Sequence, residues 1–152
     1  MSYQVEKKQI APQTIAFGTG SGTVAEIPKL LGELLPRVLG HVQANGGQMA
    51  GPPFTEYLSM GETIDMRAGV PLVQKIEEGD GVKVGELPGG DVVTTVHIGP
   101  YDKLSEAYAA IETYVEEQGL TAGDSMWEFY WTDPEKHPDP KDWKTEIFLP
   151  VS

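Results

Sequence analysis

The chain has 152 residues, no cysteine and a formal charge of −12, with 23 acidic against 11 basic side chains. This length suits one domain with one core, and the lack of cysteine excludes disulfides, thiolate catalysis and cysteine-bound zinc. The negative charge repels nucleic-acid phosphates and anionic lipids, so we expect neither direct nucleic-acid binding nor membrane binding. The same charge favours a cationic ligand or a basic protein partner, or serves only solubility.

The N-terminal sequence "MSYQVEKKQI" lacks the apolar stretch of a signal peptide. No apolar run along the chain approaches the ~18 residues of a membrane span. We therefore expect a cytoplasmic protein.

The predicted elements occur in the same order twice. The first half reads as a strand in "QTIAFGTGSG", an apolar-periodic helix, a strand in "PFTEYLSM" and a strand in "TIDMRAGVPLV". The second half repeats this order with "DVVTTVHI", a second helix, "MWEFYW" and "TEIFLPV". The repeat predicts an α+β fold of two pseudo-two-fold-related strand-helix-strand-strand modules, with mainly antiparallel sheet, helices on one face and a ligand groove between the modules.

The polar, glycine-containing stretch "KIEEGDGVK" predicts a linker between the two modules. We expect a single domain in which module one covers about residues 1–74, the linker about 75–81 and module two about 82–152. Within "VKVGELPGGDVVTTVHI", the turn residues Pro88, Gly89 and Gly90 predict a hairpin.

Apolar residues at helical spacing mark both helices and predict their core faces. Pro28 suits the first turn of the first helix, whereas Pro36 predicts a kink or a local break in its middle. Asp102 is the predicted N-cap of the second helix and Gly119 its predicted end. The predicted core faces are Ile27, Leu30, Leu31, Leu34, Leu35, Val38, Leu39 and Val42 in the first helix, and Leu104, Tyr108, Ile111 and Val115 in the second.

The pentapeptide "WEFYW" places one carboxylate among four aromatic rings. Strand alternation puts Trp127, Phe129 and Trp131 on one face and Glu128 with Tyr130 on the other. Two interpretations are open. Either the aromatic rings fill a core while Glu128 faces water, or Glu128 is a functional carboxylate that is desolvated and needs a partner.

A second carboxylate, Glu146, follows an insertion, "TDPEKHPDPKDW", which ends at Trp143 and either closes one end of the groove or forms an exposed hairpin loop. On an ideal strand these two residues face opposite ways, so Trp143 precedes the strand or a bulge re-aims it. If Glu128 and Glu146 both face the groove, repulsion raises the pKa of one, which then acts as an acid or base; otherwise one is simply ion-paired. The repeat places Glu56 and Tyr57 at the corresponding position of the first half.

Three further motifs do not match a known site. "GTGSGT" lies between a strand and a helix but fits neither the dinucleotide fingerprint nor the phosphate-binding P-loop. His41, His97 and His137 lack metal-ligand spacing, and "DPEKHPDPKD" lacks the glycine and terminal glutamate of a calcium loop. We therefore expect no cofactor and no metal.

The segments "VHIGPYDKLSEAYAAIETYVEEQGL", "WEFYWTDP" and "WKTEIFLPV" resemble the GyrI-like small-molecule-binding domain, the effector-binding part of several AraC-type and MerR-type regulators that also occurs alone. The resemblance covers essentially the whole chain and is most specific from Val92 onward. It implies the two-module fold described above. It also implies a buried glutamate, ringed by aromatic residues, that receives lipophilic cations; Glu128 matches that glutamate, Trp143 matches one of the aromatics, and Tyr57 is a loose match.

The leading hypothesis is a stand-alone small-molecule-binding protein whose groove holds an aromatic, cationic compound. Glu128 supplies the counter-charge in this hypothesis, and aromatic side chains supply the walls. We expect no DNA-binding segment before the domain, so any regulatory output acts in trans or is absent. The candidate ligand-binding residues are Glu128, Trp143, Trp127, Tyr130, Tyr57 and Tyr101.

Two alternatives remain open. Some relatives with a Trp-x-x-Glu motif, here Trp143 to Glu146, are implied by the resemblance to hydrolyse cyclopropane-bearing alkylating compounds. Glu128 or Glu146 is then the base, and Tyr130 or Tyr101 the donor. The other alternative is a protein-interaction role such as topoisomerase inhibition, for which the acidic charge is permissive.

Overall fold

The computed structural model describes residues 3–58, 61–132 and 136–152. It has an α+β fold with antiparallel strand pairs and two helices, which confirms the predicted fold class. The helices are α1 Ile27–Ala44 and α2 Leu104–Glu117. The strands are β1 Glu6–Ile10, β2 Gln13–Gly22, β3 Phe54–Tyr57, β4 Ile64–Pro71, β5 Lys83–Leu87, β6 Gly90–Ile98, β7 Met126–Tyr130 and β8 Lys144–Pro150.

The chain forms two compact units. The first unit is Ala11–Gly89, and the second unit combines the N-terminal residues up to Ile10 with Gly90–Ser152. The chain passes from one unit to the other at these points and not in the expected linker, because β5 pairs with β2 and therefore belongs to the first unit. The expected hairpin between β5 and β6 is wrong for the same reason, since β6 pairs with β1 and β8.

The strand orders of the two units correspond position by position. The first unit has the order β3-β4-β2-β5 and the second β7-β8-β6-β1. In each unit the strand before the helix pairs with the strand that closes the predicted module. The edge strand of the second unit, β1, comes from the N-terminus of the chain, which the repeat alone did not reveal.

In the first unit, α1 packs against the strands through its predicted apolar face. Leu34, Val38 and Val42 are buried, while the other predicted core positions of α1 are less buried. The helix is continuous through Pro36, so of the predicted kink or break the break is wrong, and the kink stays a prediction. The glycine-rich motif "GTGSG" is part of β2, where a Cβ on Gly18 would lie 2.9 Å from the Leu34 side chain. Its glycines thus let α1 approach the sheet, and the motif forms no phosphate loop.

In the second unit, α2 buries one face against β6 and β8. The predicted N-cap is wrong: Asp102 lies inside a 3-10 turn, Tyr101–Lys103, and Lys103 occupies the N-cap position of α2 without a side-chain cap hydrogen bond. The predicted end is confirmed, because Gly119 has a left-handed φ of 66° just beyond the helix. The core of this unit comprises Val93, Leu104, Ala107, Ile111, Val115, Ile147 and Val151.

Candidate ligand-binding site

Glu128 is buried in β7, with 2% of its surface exposed. The Tyr130 hydroxyl donates a hydrogen bond of 2.8 Å to its Oε1. Strand pairing places Glu128 opposite Ile147 and Tyr130 opposite Thr145, and both of these β8 residues are fully buried. The interpretation in which Glu128 faces water is therefore wrong. A buried carboxylate is stable only with hydrogen bonds or a counter-charge, and the Tyr130 hydrogen bond is one such contact.

Two further aromatic rings extend from Tyr130. The Tyr101 ring lies 5.8 Å from the Tyr130 ring and 4.7 Å from the Trp143 ring, measured between centroids. The side chains come from three segments: β7, the turn before α2, and the residue just before β8. All three rings are half-buried. We call Glu128, Tyr130, Tyr101 and Trp143 the aromatic-carboxylate cluster.

Backbone contacts hold the two outer rings of the cluster. Trp143 follows a 3-10 turn, Pro140–Asp142, and precedes β8, so the first of the two expectations for this residue is confirmed. Its carbonyl accepts a 2.8 Å hydrogen bond from the Gly99 N–H. Gly99 has a φ of 141°, which favours glycine. Trp143 and the turn that carries Tyr101 are thereby fixed to each other.

Trp127 lies on the opposite face of β7 from Glu128. It is 1% exposed and stacks on Phe148 at a centroid distance of 5.8 Å. Phe129 meets the same Phe148 ring edge-on at 5.7 Å. The alternation of side chains along β7 was predicted correctly. It places Trp127 on the face opposite Glu128, outside the aromatic-carboxylate cluster.

Glu146 also lies on this opposite face. It pairs across the strands with Phe129, and its Oε1 accepts a 3.1 Å hydrogen bond from the indole N–H of Trp131. The Lys144 ammonium lies 5.5 Å from the centre of the Trp131 ring. The register of β7 on β8 places Ile147 opposite Glu128, and so directs Glu146 away from it. The structure does not bring the two expected carboxylates together.

Tyr57 and Glu56 are buried in β3 of the first unit. Glu56, which is 1% exposed, pairs with Arg67, whose Nε donates a 2.6 Å hydrogen bond to Oε1. The guanidinium also lies 4.7 Å from the centre of the Phe17 ring. Sequence reasoning missed Arg67, because only the β3–β4 register places it opposite Glu56.

The three histidines have separate structural partners. His41 Nε2 donates to the Glu77 carbonyl at 2.6 Å, and the His137 carbonyl accepts from the Trp143 indole at 2.6 Å. His97 contacts Tyr3 and Pro100. Within the described ranges, no three His, Asp or Glu side chains are grouped as metal ligands would be. No helix in that part of the chain is long and apolar enough to span a membrane.

Solved structures share this fold. The EcmrR C-terminal domain is 26% identical with a TM-score of 0.87, over 100% of this chain and 99% of that one. A hydrolase from Listeria innocua is 16% identical with a TM-score of 0.66, over 98% of this chain and 92% of that one. SAV2435 bound to tetraphenylphosphonium is 16% identical with a TM-score of 0.62, over 100% of this chain and 94% of that one.

No curated protein is similar enough in sequence to count as a match. The sequence profile of one family, in contrast, matches residues 3–152. The chain therefore belongs to the GyrI-like small molecule binding domain family.

Proposed function

We propose that this GyrI-like domain binds a lipophilic aromatic cation at the aromatic-carboxylate cluster. Glu128 is the counter-charge, and the rings of Tyr130, Tyr101 and Trp143 are the walls. The observation that carries the proposal is the buried Glu128 carboxylate, hydrogen-bonded to Tyr130 and continuous with two half-buried aromatic rings.

The electrostatics of the cluster support a cation. A buried carboxylate attracts a cation more strongly than an exposed one does, because the surrounding medium has a lower dielectric constant than water. Aromatic faces attract cations through their quadrupoles, most strongly when the cation is itself poorly hydrated. A delocalised cation needs no hydrogen bonds from these walls. It therefore fits better than an ammonium or guanidinium group, which would have to give up strong hydration.

The likeness to SAV2435 supports this ligand class by analogy, since that structure contains tetraphenylphosphonium. At 16% identity this likeness concerns the fold alone. What supports cation binding in this chain is Glu128 and the side chains around it. Trp127 is not one of the proposed walls, because it packs on Phe148.

The test compares a cation with a neutral molecule of similar shape. Tetraphenylphosphonium and triphenylphosphine oxide are titrated into the protein by isothermal calorimetry. Replacing Glu128 with Gln keeps the shape and removes the charge, so affinity for the cation should fall by about 1.5 to 3 kcal/mol while that for the oxide hardly changes.

Glu146→Gln is the matched control. It removes the same charge from the neighbouring strand, but on the face occupied by Trp131. We expect it to leave cation affinity unchanged within about 0.5 kcal/mol. If both variants lost the same affinity for the cation, only the total charge of the protein would matter. If Glu128→Gln lost the same affinity for the cation and for the oxide, the counter-charge role of Glu128 would be ruled out.

The hydrolase hypothesis can be stated more narrowly for the same site. Glu128 and Tyr130 form a carboxylate–phenol pair at 2.8 Å, which suits activation of water and proton donation. Glu146, on the other face, is not part of this arrangement. Mass spectrometry of mixtures with a cyclopropane-bearing electrophile distinguishes binding from turnover, because only turnover adds water to the compound. Topoisomerase inhibition stays a prediction.

A further inference from the structure

A buried histidine lies on the same sheet face as the aromatic-carboxylate cluster. His97 in β6 is 2% exposed and pairs across the strands with Thr145, which in turn pairs with Tyr130. Its Nε2 lies 3.0 Å from the Pro100 carbonyl and its Nδ1 lies 2.8 Å from the Tyr3 hydroxyl. Because a carbonyl only accepts, Nε2 donates to the Pro100 carbonyl, and in that tautomer Nδ1 accepts from the Tyr3 hydroxyl.

On one side, His97 is connected to the N-terminal segment. The Tyr3 ring stacks on the imidazole at a centroid distance of 5.9 Å, and Tyr3 and Val5 pack against the core of the second unit. Burial raises the pKa of the Tyr3 phenol, and the nearby Glu106 carboxylate raises it further, so Tyr3 keeps its proton as a donor at neutral pH. Tyr3 also lines an open surface cavity of about 620 Å³ beside α2.

On the other side, His97 is connected to the walls of the proposed site. The Pro100 carbonyl that it holds belongs to the residue directly before Tyr101. The Gly99 N–H, one residue earlier, donates to the Trp143 carbonyl. The positions of both outer rings therefore depend on the short turn that His97 anchors.

We infer that Tyr3 and His97 are positioning residues: the Tyr3 hydroxyl holds the His97 ring, and His97 holds the turn that sets the geometry of the Tyr101 and Trp143 walls. The inference rests on the proposed function, because it assigns these rings to the ligand site. The coupling is reciprocal: the Tyr3–His97 hydrogen bond raises affinity for the cation, and the bound cation stabilises that hydrogen bond.

The test is Tyr3→Phe, which keeps the stacked ring and removes only the hydroxyl. Affinity for tetraphenylphosphonium should fall about three- to tenfold, the effect of one hydrogen bond in this range of strength. Thr95→Val is the matched control, since it removes another bond to the same segment, from Thr95 Oγ1 to the Gln4 carbonyl at 2.9 Å, without touching the Pro100 turn. It should change affinity by less than about twofold.

A readout without ligand separates this inference from the proposed function. The indole N–H resonance of Trp143, assigned by loss of its signal in Trp143→Phe, should shift in Tyr3→Phe and stay in place in Thr95→Val. If the wild-type protein does not bind tetraphenylphosphonium, the proposed function fails. The Trp143 resonance then tests by itself whether the Tyr3–His97 contact affects the position of Trp143. An unshifted resonance in Tyr3→Phe, or an equal shift in Thr95→Val, would overturn the inference whatever the affinities are.

Discussion

Glu56 and Glu128 occupy corresponding strands of the two units, yet their side chains have different partners. Arg67 offers Glu56 a charged guanidinium, which cancels the charge of the carboxylate within the first unit. Tyr130 offers Glu128 a neutral phenol, and a hydrogen bond from a phenol stabilises a carboxylate without changing the net charge. The Tyr130 bond therefore favours the charged carboxylate that a cation at the aromatic-carboxylate cluster would meet.

Among the walls, Trp143 gives the sharpest test. Trp143→Ala should weaken tetraphenylphosphonium binding by about 1 to 2 kcal/mol, through loss of a cation–π partner and of buried apolar contact. Trp143→Phe should restore part of this affinity. Calorimetric titration measures both effects. Trp131→Ala is the control, because Trp131 is 49% exposed on the other face; an equal loss there would show that the aromatic effect is not local.

At the scale of elements, close backbone approach in the first unit depends on glycine. Gly69 in β4 pairs with Phe17 in β2, and a Cβ at this position would overlap the carbonyl oxygen of Ala16 and lie 2.8 Å from the Phe17 Cα. Both neighbours are backbone atoms of the adjacent strand, so no side-chain rotation relieves the contact. A Cβ on Gly32 in α1, by comparison, would have open space around it, with none of the described side chains within 4 Å.

These two glycines predict opposite effects of the same substitution. Gly69→Ala should lower the free energy of unfolding by about 2 to 4 kcal/mol, because the β2–β4 pairing must shift. Gly32→Ala should raise it by about 0.5 to 1 kcal/mol, because alanine favours a helix and loses less backbone entropy on folding. Urea unfolding followed by circular dichroism measures both values. Similar changes in the two variants would contradict the steric explanation.

At the scale of the whole molecule, the charge of −12 adds a long-range field to the local effect of Glu128. A field of this sign raises the concentration of cations near the surface and repels anions. Salt screens it, whereas a contact between a buried carboxylate and its bound cation is screened much less.

The salt dependence of binding separates these two contributions. Raising sodium chloride from about 0.01 M to about 1 M shortens the Debye length from about 30 Å to about 3 Å, so cation affinity should fall severalfold and then level off. Triphenylphosphine oxide, which is neutral, should show no such decrease. Cation affinity that is lost completely at high salt would indicate surface attraction only and would count against a buried counter-charge.

Local patterns in the sequence determined the order of the elements, the two helices, the end of α2 at Gly119 and the division of faces in β7, because helical and strand periodicity depend only on neighbouring residues. The tertiary structure alone decided that β5 pairs with β2, that Arg67 meets Glu56 and that Glu146 turns away from Glu128, since a shift of one residue in register reverses every face. It also decided that the Tyr101 ring meets those of Tyr130 and Trp143, and that Tyr3 contacts His97. Those contacts join segments distant in the chain, and no local spacing encodes them.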